Sequence, residues 1–390
     1  MNSDKDIPAV DAVIVGAGPA GIGMALALEK LVDIEYVILE AEQVGASFRR
    51  WPAQTRLITP SFHSNPFGLA DLNAIDEISS PAIFAGAEHL DGKQYADYLA
   101  FIAQAHELPL SENCQVHQVS ALDEGGFLLA TQQGELRTRF LIWATGEYLY
   151  PNLTPFPGAK WCVHYAQVSD WKRFTAPDTL SSPYTVIGGY ESGVDAAVNL
   201  THLGHHVRLL ARKSTWQREG PYDPSLSLSP YSRERLKEAF QSGRLEIVFG
   251  VDVVDVTRNE HDGFRIHSAD KRYWDTQQPP LLGTGFLDGG GAQQISTLWH
   301  WTEEQHIALT DTDESTLTPG LFLVGPQVRH DQRIYCFIYK FRQRFGLVAE
   351  QIAEYMGLDI KVLQNSATLQ NSADAWGPFG NRDCCEGCEC

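Results

Sequence analysis

DAVIVGAGPAGIGMALALEKL, residues 11–31, is the stretch whose reading decides the fold. A short apolar run reads as a buried strand. Gly16-x-Gly18-x-x-Gly21 follows at once, and an apolar segment of helical length follows that. EYVILE, residues 35–40, then returns as a second strand, which completes a strand-turn-helix-strand unit. In such a turn Gly16 permits the tight bend, Gly18 lets the backbone approach a pyrophosphate, and Gly21 allows close helix–strand packing. The helix N-terminus favours the negative phosphates. Glu40 ends the second strand, where an acid hydrogen-bonds ribose hydroxyls that carry no 2′-phosphate. Pro19 and Ala20 within the turn and Ala41 beyond the acid complete the expected contact set.

A second unit reads in the same way. YTVIGGYESGVDAAVNLTHLG, residues 184–204, is followed by HVRLLARK, residues 206–213. Gly188 and Gly193 keep the first and last glycines, with Gly189, Glu191 and Ser192 between them. Tyr190 stands where the backbone should come closest to a pyrophosphate, and its side chain could displace the phosphates or stack over them. The returning strand ends in Arg212 and Lys213 with no acid, a pair suited to a 2′-phosphate. The expectation is NADPH at this unit. A domain that kept its fold and lost its ligand is the alternative.

Between the units lie a loop-rich stretch over 44–90, a helix predicted over 92–106, and strands predicted over 115–122, 127–130 and 136–144. FLIWA, residues 140–144, runs directly into Thr145-Gly146. After Pro319 the chain shows one more buried strand, LFLVG, ending at Gly325, and a long amphipathic helix predicted over 333–356. The expected architecture is α/β, with two Rossmann-like, three-layer ββα-type dinucleotide-binding domains. The nicotinamide domain is inserted into a split FAD domain: 1–178 FAD first part, 179–312 NAD(P), 313–360 FAD second part, 361–390 a flexible Cys-rich tail. In VGASFRRWP, residues 44–52, the aromatic side chains either pack on a flavin ring or anchor the loop. Ser47, Phe48 and Trp51 are the candidates.

Thirty Lys+Arg against 49 Asp+Glu give a net charge of -19 in 390 residues. That balance argues against nucleic acid and anionic membranes as partners, because phosphate binding needs clustered positive charge. Residues 1–10 carry no basic stretch followed by an apolar one, so the expected location is the cytoplasm. Four of the seven cysteines crowd the last seven residues: Cys384, Cys385, Cys388 and Cys390. In a cytosolic chain such a cluster reads as a redox arm or as a site for a soft metal such as Zn²⁺ or Cu⁺. Cys336, in RIYCFIYKF, is expected to be a buried core thiol, and His164 to be a surface or hinge residue.

VIVGAGPAG, IWATG, VIGGYESGVDAA and TPGLFLVG together resemble the flavoprotein superfamily with two dinucleotide-binding domains, over roughly residues 8–358. FRRWPAQTRLITP and SGVDAA are similar to stretches of bacillithiol-disulfide reductases and of flavin-containing monooxygenase relatives. The resemblance implies FAD and NADPH, with Gly16, Gly18, Gly21, Glu40, Thr145 and Gly146 at flavin-nucleotide contacts. It also implies a homo-oligomer. The departures bear on activity. Ala20 stands where the bacillithiol-type enzymes carry a cysteine, and the thioredoxin-reductase CxxC is absent. The late Gly-Asp reads Gly325-Pro326, and the monooxygenase linker fingerprint has two extra residues between Gly158 and His164. Cys384-Cys385 is similar to the terminal cysteine pair of mercuric reductases. The expected function is an FAD- and NAD(P)H-dependent oxidoreductase that reduces a small-molecule or protein disulfide, with the tail cysteines as relay. A flavin monooxygenase and a metal-binding flavoprotein are the alternatives.

Overall fold

The computed structural model describes residues 7–63, 71–76, 78–174, 182–213 and 223–358. In chain order the first elements are β1 (Ala9–Val15), α1 (Pro19–Glu29), β2 (Tyr36–Leu39), α2 (Ala46–Arg49), α3 (Pro81–Ala85) and α4 (Gly92–Ala105). Next come β3 (Leu110–Ser111), β4 (Val116–Ala121), β5 (Phe127–Thr131) and β6 (Gly134–Trp143). β7 (Val163–His164), β8 (Tyr184–Ile187), α5 (Glu191–His202), β9 (Val207–Ala211), α6 (Pro230–Gln241) and β10 (Leu245–Phe249) follow. The chain continues through β11 (Val253–Arg258), β12 (Phe264–Ser268), β13 (Tyr273–Thr276), β14 (Leu281–Leu282) and β15 (Leu321–Leu323). It then makes β16 (Arg329–His330), β17 (Arg333–Ile334), α7 (Ile338–Phe341) and α8 (Phe345–Met356).

The chain divides into two compact units. One comprises residues 1–49, 60–149 and 288–390; the other comprises 50–59 and 150–287. In the first, a sheet of order β3-β2-β1-β6-β5-β4 is joined by β15 on β6. β6 pairs with β1 along one edge, and its ten residues let two further strands share the other. Its first half pairs antiparallel with β5, and its last residues, Leu141–Trp143, pair parallel with β15. α1 has no polar face: residues 20–28 are all buried, as a helix covered by a sheet on one side and by α8 on the other requires. α4 begins where a capping box predicts. The Asp91 side chain accepts from the Gln94 amide, and the Gln94 side chain accepts from the Asp91 amide.

The second unit repeats the plan with a sheet of order β10-β9-β8-β14-β7 and a three-stranded meander β11-β12-β13. Its extent differs from the sequence-based boundaries at 178/179 and 312/313. The Pro-rich stretch after 150 belongs to this unit, because β7 adds to the edge of β14 and Ala159 enters a core with Ile187, Leu210, Val256 and Ile266. Residues 290–298 belong to the first unit. The Gly291 amide donates to the Gly146 carbonyl at 2.8 Å, and Trp143 Nε1 donates to the Gly291 carbonyl at 3.0 Å.

The helix predicted over 333–356 is also corrected. Residues 333–334 pair as β17 with β16 across a turn at Asp331 (φ 52°), and continuous α-helix begins only at Phe345. Arg-Ile-Tyr-Cys-Phe-Ile is rich in β-branched and aromatic residues, which favour the hairpin over helix. Cys336 is only partly buried, not a core thiol, whereas Cys114 is buried. His164 is not a surface residue. It is 1% exposed; its Nδ1 accepts from the Ala166 amide at 3.1 Å, and its Nε2 donates to the Gly285 carbonyl at 3.0 Å. Burial holds its pKa below the ordinary value.

Candidate nucleotide-binding sites

In the first unit the turn after β1 is built on close backbone approach. Gly16 sits at φ 107°, and a Cβ there would stand 2.6 Å from the Ala144 carbonyl oxygen at the end of β6. A Cβ on Gly21 would overlap the Gly16 carbonyl oxygen. Gly18 is the N-cap of α1 with an extended backbone, and a Cβ there would meet no protein atom within 4 Å. The turn is therefore tight where it touches protein and open where it faces the helix N-terminus, the arrangement a pyrophosphate needs. Pro19 is the first helical residue. Ala20 lies against the strand end of β15, since a Cβ on Gly325 would stand 3.0 Å from Ala20 Cβ.

Glu40 follows β2 and is 9% exposed. Its Oε2 accepts from the Ala17 amide at 2.7 Å and its Oε1 from the Glu42 amide at 3.0 Å. Burial raises its pKa against those two amides. A carboxylate has about four lone-pair positions, so two remain for ribose hydroxyls. Glu40 therefore also ties the second strand to the glycine turn. Ala41 is exposed beyond it. Thr145 and Gly146 follow β6, and Gly325 follows β15, all at the carboxyl ends of neighbouring parallel strands, where open α/β sheets bind ligands. These residues fit the adenosine and pyrophosphate of FAD.

Residues 45–49 pack against the glycine turn and α4. The Gly45 amide donates to the Ala17 carbonyl at 3.0 Å, and the Phe48 ring packs on Tyr95 of α4 with centroids 4.8 Å apart. Arg49 forms a 2.8 Å ion pair with Asp97, and Ser47 is partly exposed on the same short helix. Trp51 lies in the 50–59 segment, which belongs to the second unit.

The second turn copies the backbone of the first. Gly188 sits at φ 110°, where a Cβ would overlap the Gly283 carbonyl at the end of β14, and a Cβ on Gly193 would overlap the Gly188 carbonyl. The Gly188 amide donates to Leu210 at 3.0 Å as the Gly16 amide donates to Leu39 at 2.8 Å. Gly189 lies against Ala211 at the end of β9. Ser192 is partly exposed in the first turn of α5.

Tyr190 and Glu191 both reach toward the segment that leads into α6. The Tyr190 hydroxyl donates toward the Ser225 and Ser227 carbonyls, at 2.7 and 2.5 Å, so the ring is tied to the loop before α6. Glu191, expected at the cofactor, is committed to α6. Its carboxylate accepts from the Ser229 amide at 2.6 Å and from Ser232 Oγ at 2.5 Å, and burial raises its pKa. Arg212 and Lys213 are exposed directly after β9, the place Glu40 holds after β2. Lys213 Nζ stands 5.8 Å from the Tyr190 ring centroid. Unlike Glu40, these cations are open to an anionic ligand.

Cys384, Cys385, Cys388 and Cys390 lie outside the described residues, as does the 361–390 tail. Among the described residues Cys114 and Cys162 form no disulfide, and burial pushes the Cys162 thiol up to about 12. No helix among the described residues is long and apolar enough to cross a membrane. Glu147, which sequence reasoning passed over, lies one residue beyond Gly146 with its carboxyl in contact with Gln327. An acid directly after the IWATG strand end was the available signal.

Comparison with known proteins agrees with this construction. The family model for pyridine nucleotide-disulphide oxidoreductase matches residues 13–325. Bacilliredoxin reductase Bdr of Bacillus subtilis (strain 168) is 24% identical over 249 residues, covering 64% of this chain and 69% of that protein. The chain spans between 32% and 56% of four other curated relatives that it matches. Bacillithiol Disulfide Reductase Bdr from Staphylococcus aureus superposes with TM-score 0.69 at 19% identity, over 90% of this chain and 99% of that one. The flavin-containing monooxygenase from Stenotrophomonas maltophilia gives 0.67 at 18%, over 90% and 100%. With the family model covering both glycine turns and the strand ends around them, the chain belongs to the pyridine nucleotide-disulphide oxidoreductase family and is an oxidoreductase that uses FAD and a pyridine nucleotide.

Proposed function

We propose that the chain reduces a disulfide with electrons from NADPH, and that Cys384, Cys385, Cys388 and Cys390 relay them. The single observation that carries the two-nucleotide part is a reversal of charge on a repeated scaffold. The two turns share their backbone construction, yet Glu40 follows one second strand and Arg212-Lys213 follow the other. The acid suits an unphosphorylated adenosine ribose, and the cations suit a 2′-phosphate. FAD, when bound, supplies the two-electron redox chemistry, and the protein supplies binding, orientation and electrostatics. Glu40 and the Gly18 turn would hold FAD, while Arg212 and Lys213 would select the nicotinamide nucleotide. Family membership and the terminal thiol cluster support a disulfide as acceptor. The working setting is the cytoplasm, with a homo-oligomer and a small-molecule or protein disulfide as substrate.

Anaerobic titration of the FAD-loaded protein with NADPH tests this reading; the flavin absorbance should bleach. Arg212→Glu should weaken NADPH, raising its KM about 10- to 100-fold through loss of a charge-assisted phosphate contact, and leave NADH unaffected. Equal changes for both nucleotides would remove Arg212 from the phosphate site. Deleting residues 384–390 should abolish disulfide reduction and leave NADPH oxidation by O₂ in place. Undiminished disulfide reduction by the shortened protein would overturn the relay. A second reading, an NADPH-dependent monooxygenase, draws on Ala20, which leaves the first glycine turn without a thiol. It requires substrate oxygenation that survives the same deletion.

A further inference from the structure

Glu147 is a titratable group that the reading above leaves without a task. It follows Gly146 at the end of β6, and Gln327 lies two residues after Gly325 at the end of β15. β6 and β15 are parallel neighbours, with Trp143 opposite Leu323. The acid therefore stands at the carboxyl ends of two adjacent strands, the edge where open α/β sheets receive ligands. Its surroundings are specific. Gln327 Nε2 donates to Glu147 Oε2, and Gln327 Oε1 accepts from the Gly289 amide at 2.9 Å. That amide fixes which way round the Gln327 side chain sits, so Glu147 Oε2 is an acceptor. A proton on this carboxyl consequently resides on Oε1, which has no hydrogen-bond partner among the described residues. Glu147 as a residue keeps partial exposure. Burial raises the acid, against the Gln327 hydrogen bond and the Arg329 guanidinium. Glu40, a buried acid at the end of β2, has both oxygens engaged by backbone amides.

Proton arithmetic supplies a use. NADPH delivers a hydride, which carries two electrons and one proton. Breaking one S–S bond and forming two S–H bonds needs two electrons and two protons. One proton must therefore come from the protein or from water, and O₂ as acceptor leaves the same deficit. We propose that Glu147 holds on Oε1 the proton that this two-electron reduction takes up, and regains it from water. The proposal rests on the NADPH-reductase reading above for its reaction and on the strand-end geometry for its residue.

The test uses the full-length FAD-loaded chain and Glu147→Gln, whose side-chain oxygen can still accept from Gln327. The first readout is spectroscopic. The flavin absorbance of resting wild type should change with pH at a midpoint above the ordinary glutamate range, and Glu147→Gln should lack that transition while retaining FAD. The second readout is the pH profile of NADPH turnover. Wild type should lose turnover as pH rises through the same midpoint, because the protonated form is the competent one. Glu147→Gln should be slower by about 100-fold, with that limb gone. Gln327→Leu removes a hydrogen bond that favours the carboxylate, so its spectral midpoint should move upward. Absence of the transition in wild type, or an unchanged pH profile in Glu147→Gln, overturns the proposal. Failure of NADPH to reduce either protein would instead sink the reductase reading, because the spectral titration needs no NADPH.

Discussion

Gly21→Ala should yield a protein without flavin that is destabilised by about 3 kcal/mol, the upper range for forcing one methyl into a packed site. The added carbon would overlap the Gly16 carbonyl oxygen, and backbone cannot swing aside as a side-chain tip can. Relief requires opening the turn between β1 and α1, and that turn is the pyrophosphate cradle. Gly18→Ala is the informative partner. Gly18 has φ -81°, a conformation alanine adopts freely, and its added carbon meets no protein atom within 4 Å. Its stability should stay within about 0.5 kcal/mol of wild type, while flavin content falls because the methyl occupies the nucleotide's approach. Thermal unfolding and flavin absorbance per polypeptide, measured on both variants, separate the two effects. Full flavin content in Gly18→Ala would mean that the pyrophosphate does not approach this turn.

What could be read from sequence was what depends on short chain separation. Gly16, Gly18 and Gly21 act through backbone contacts within one turn and the strand beside it, so their spacing carries their geometry. The same holds for Gly188 and Gly193. Glu191 shows where that logic stops. Its motif position points to a nucleotide, but Ser229 and Ser232, about forty positions on, supply stronger donors. The two-residue strand β7 has no periodicity to detect; it exists because β14 offers an open edge. The hairpin at 329–334 interrupted a predicted helix because apolar spacing alone does not distinguish a strand residue facing a core from a helical one. Glu147 became a candidate only when β15 brought Gln327 beside it from 180 residues away.

Asp195 carries the second large effect. Its Oδ2 accepts from Thr55 Oγ1 at 2.9 Å and Tyr165 Oη at 2.8 Å, and its Oδ1 takes a 2.7 Å ion pair from Arg235. The pair is mostly buried, with side-chain exposures of 10% and 16%. Thr55 belongs to the 50–59 segment, which is further held by the Ala53 amide on the Ser169 carbonyl at 2.9 Å and Gln54 on Asp170 at 2.7 Å. Asp195→Ala removes the common acceptor of three donors and leaves a buried guanidinium without its counter-charge. It should cost about 3–5 kcal/mol. Arg235→Met should cost less, roughly 1–3 kcal/mol, because the carboxylate keeps two hydroxyl donors and the methionine restores apolar volume. Urea unfolding of both variants tests the order, and limited proteolysis within 50–59 should accelerate in Asp195→Ala alone. Equal destabilisation by the two substitutions would assign the whole effect to the ion pair and none to the Thr55 and Tyr165 hydroxyls. The predicted asymmetry follows from where each charge is left: a lone carboxylate here still has donors, whereas a lone guanidinium has lost the acceptor that the buried site was built around.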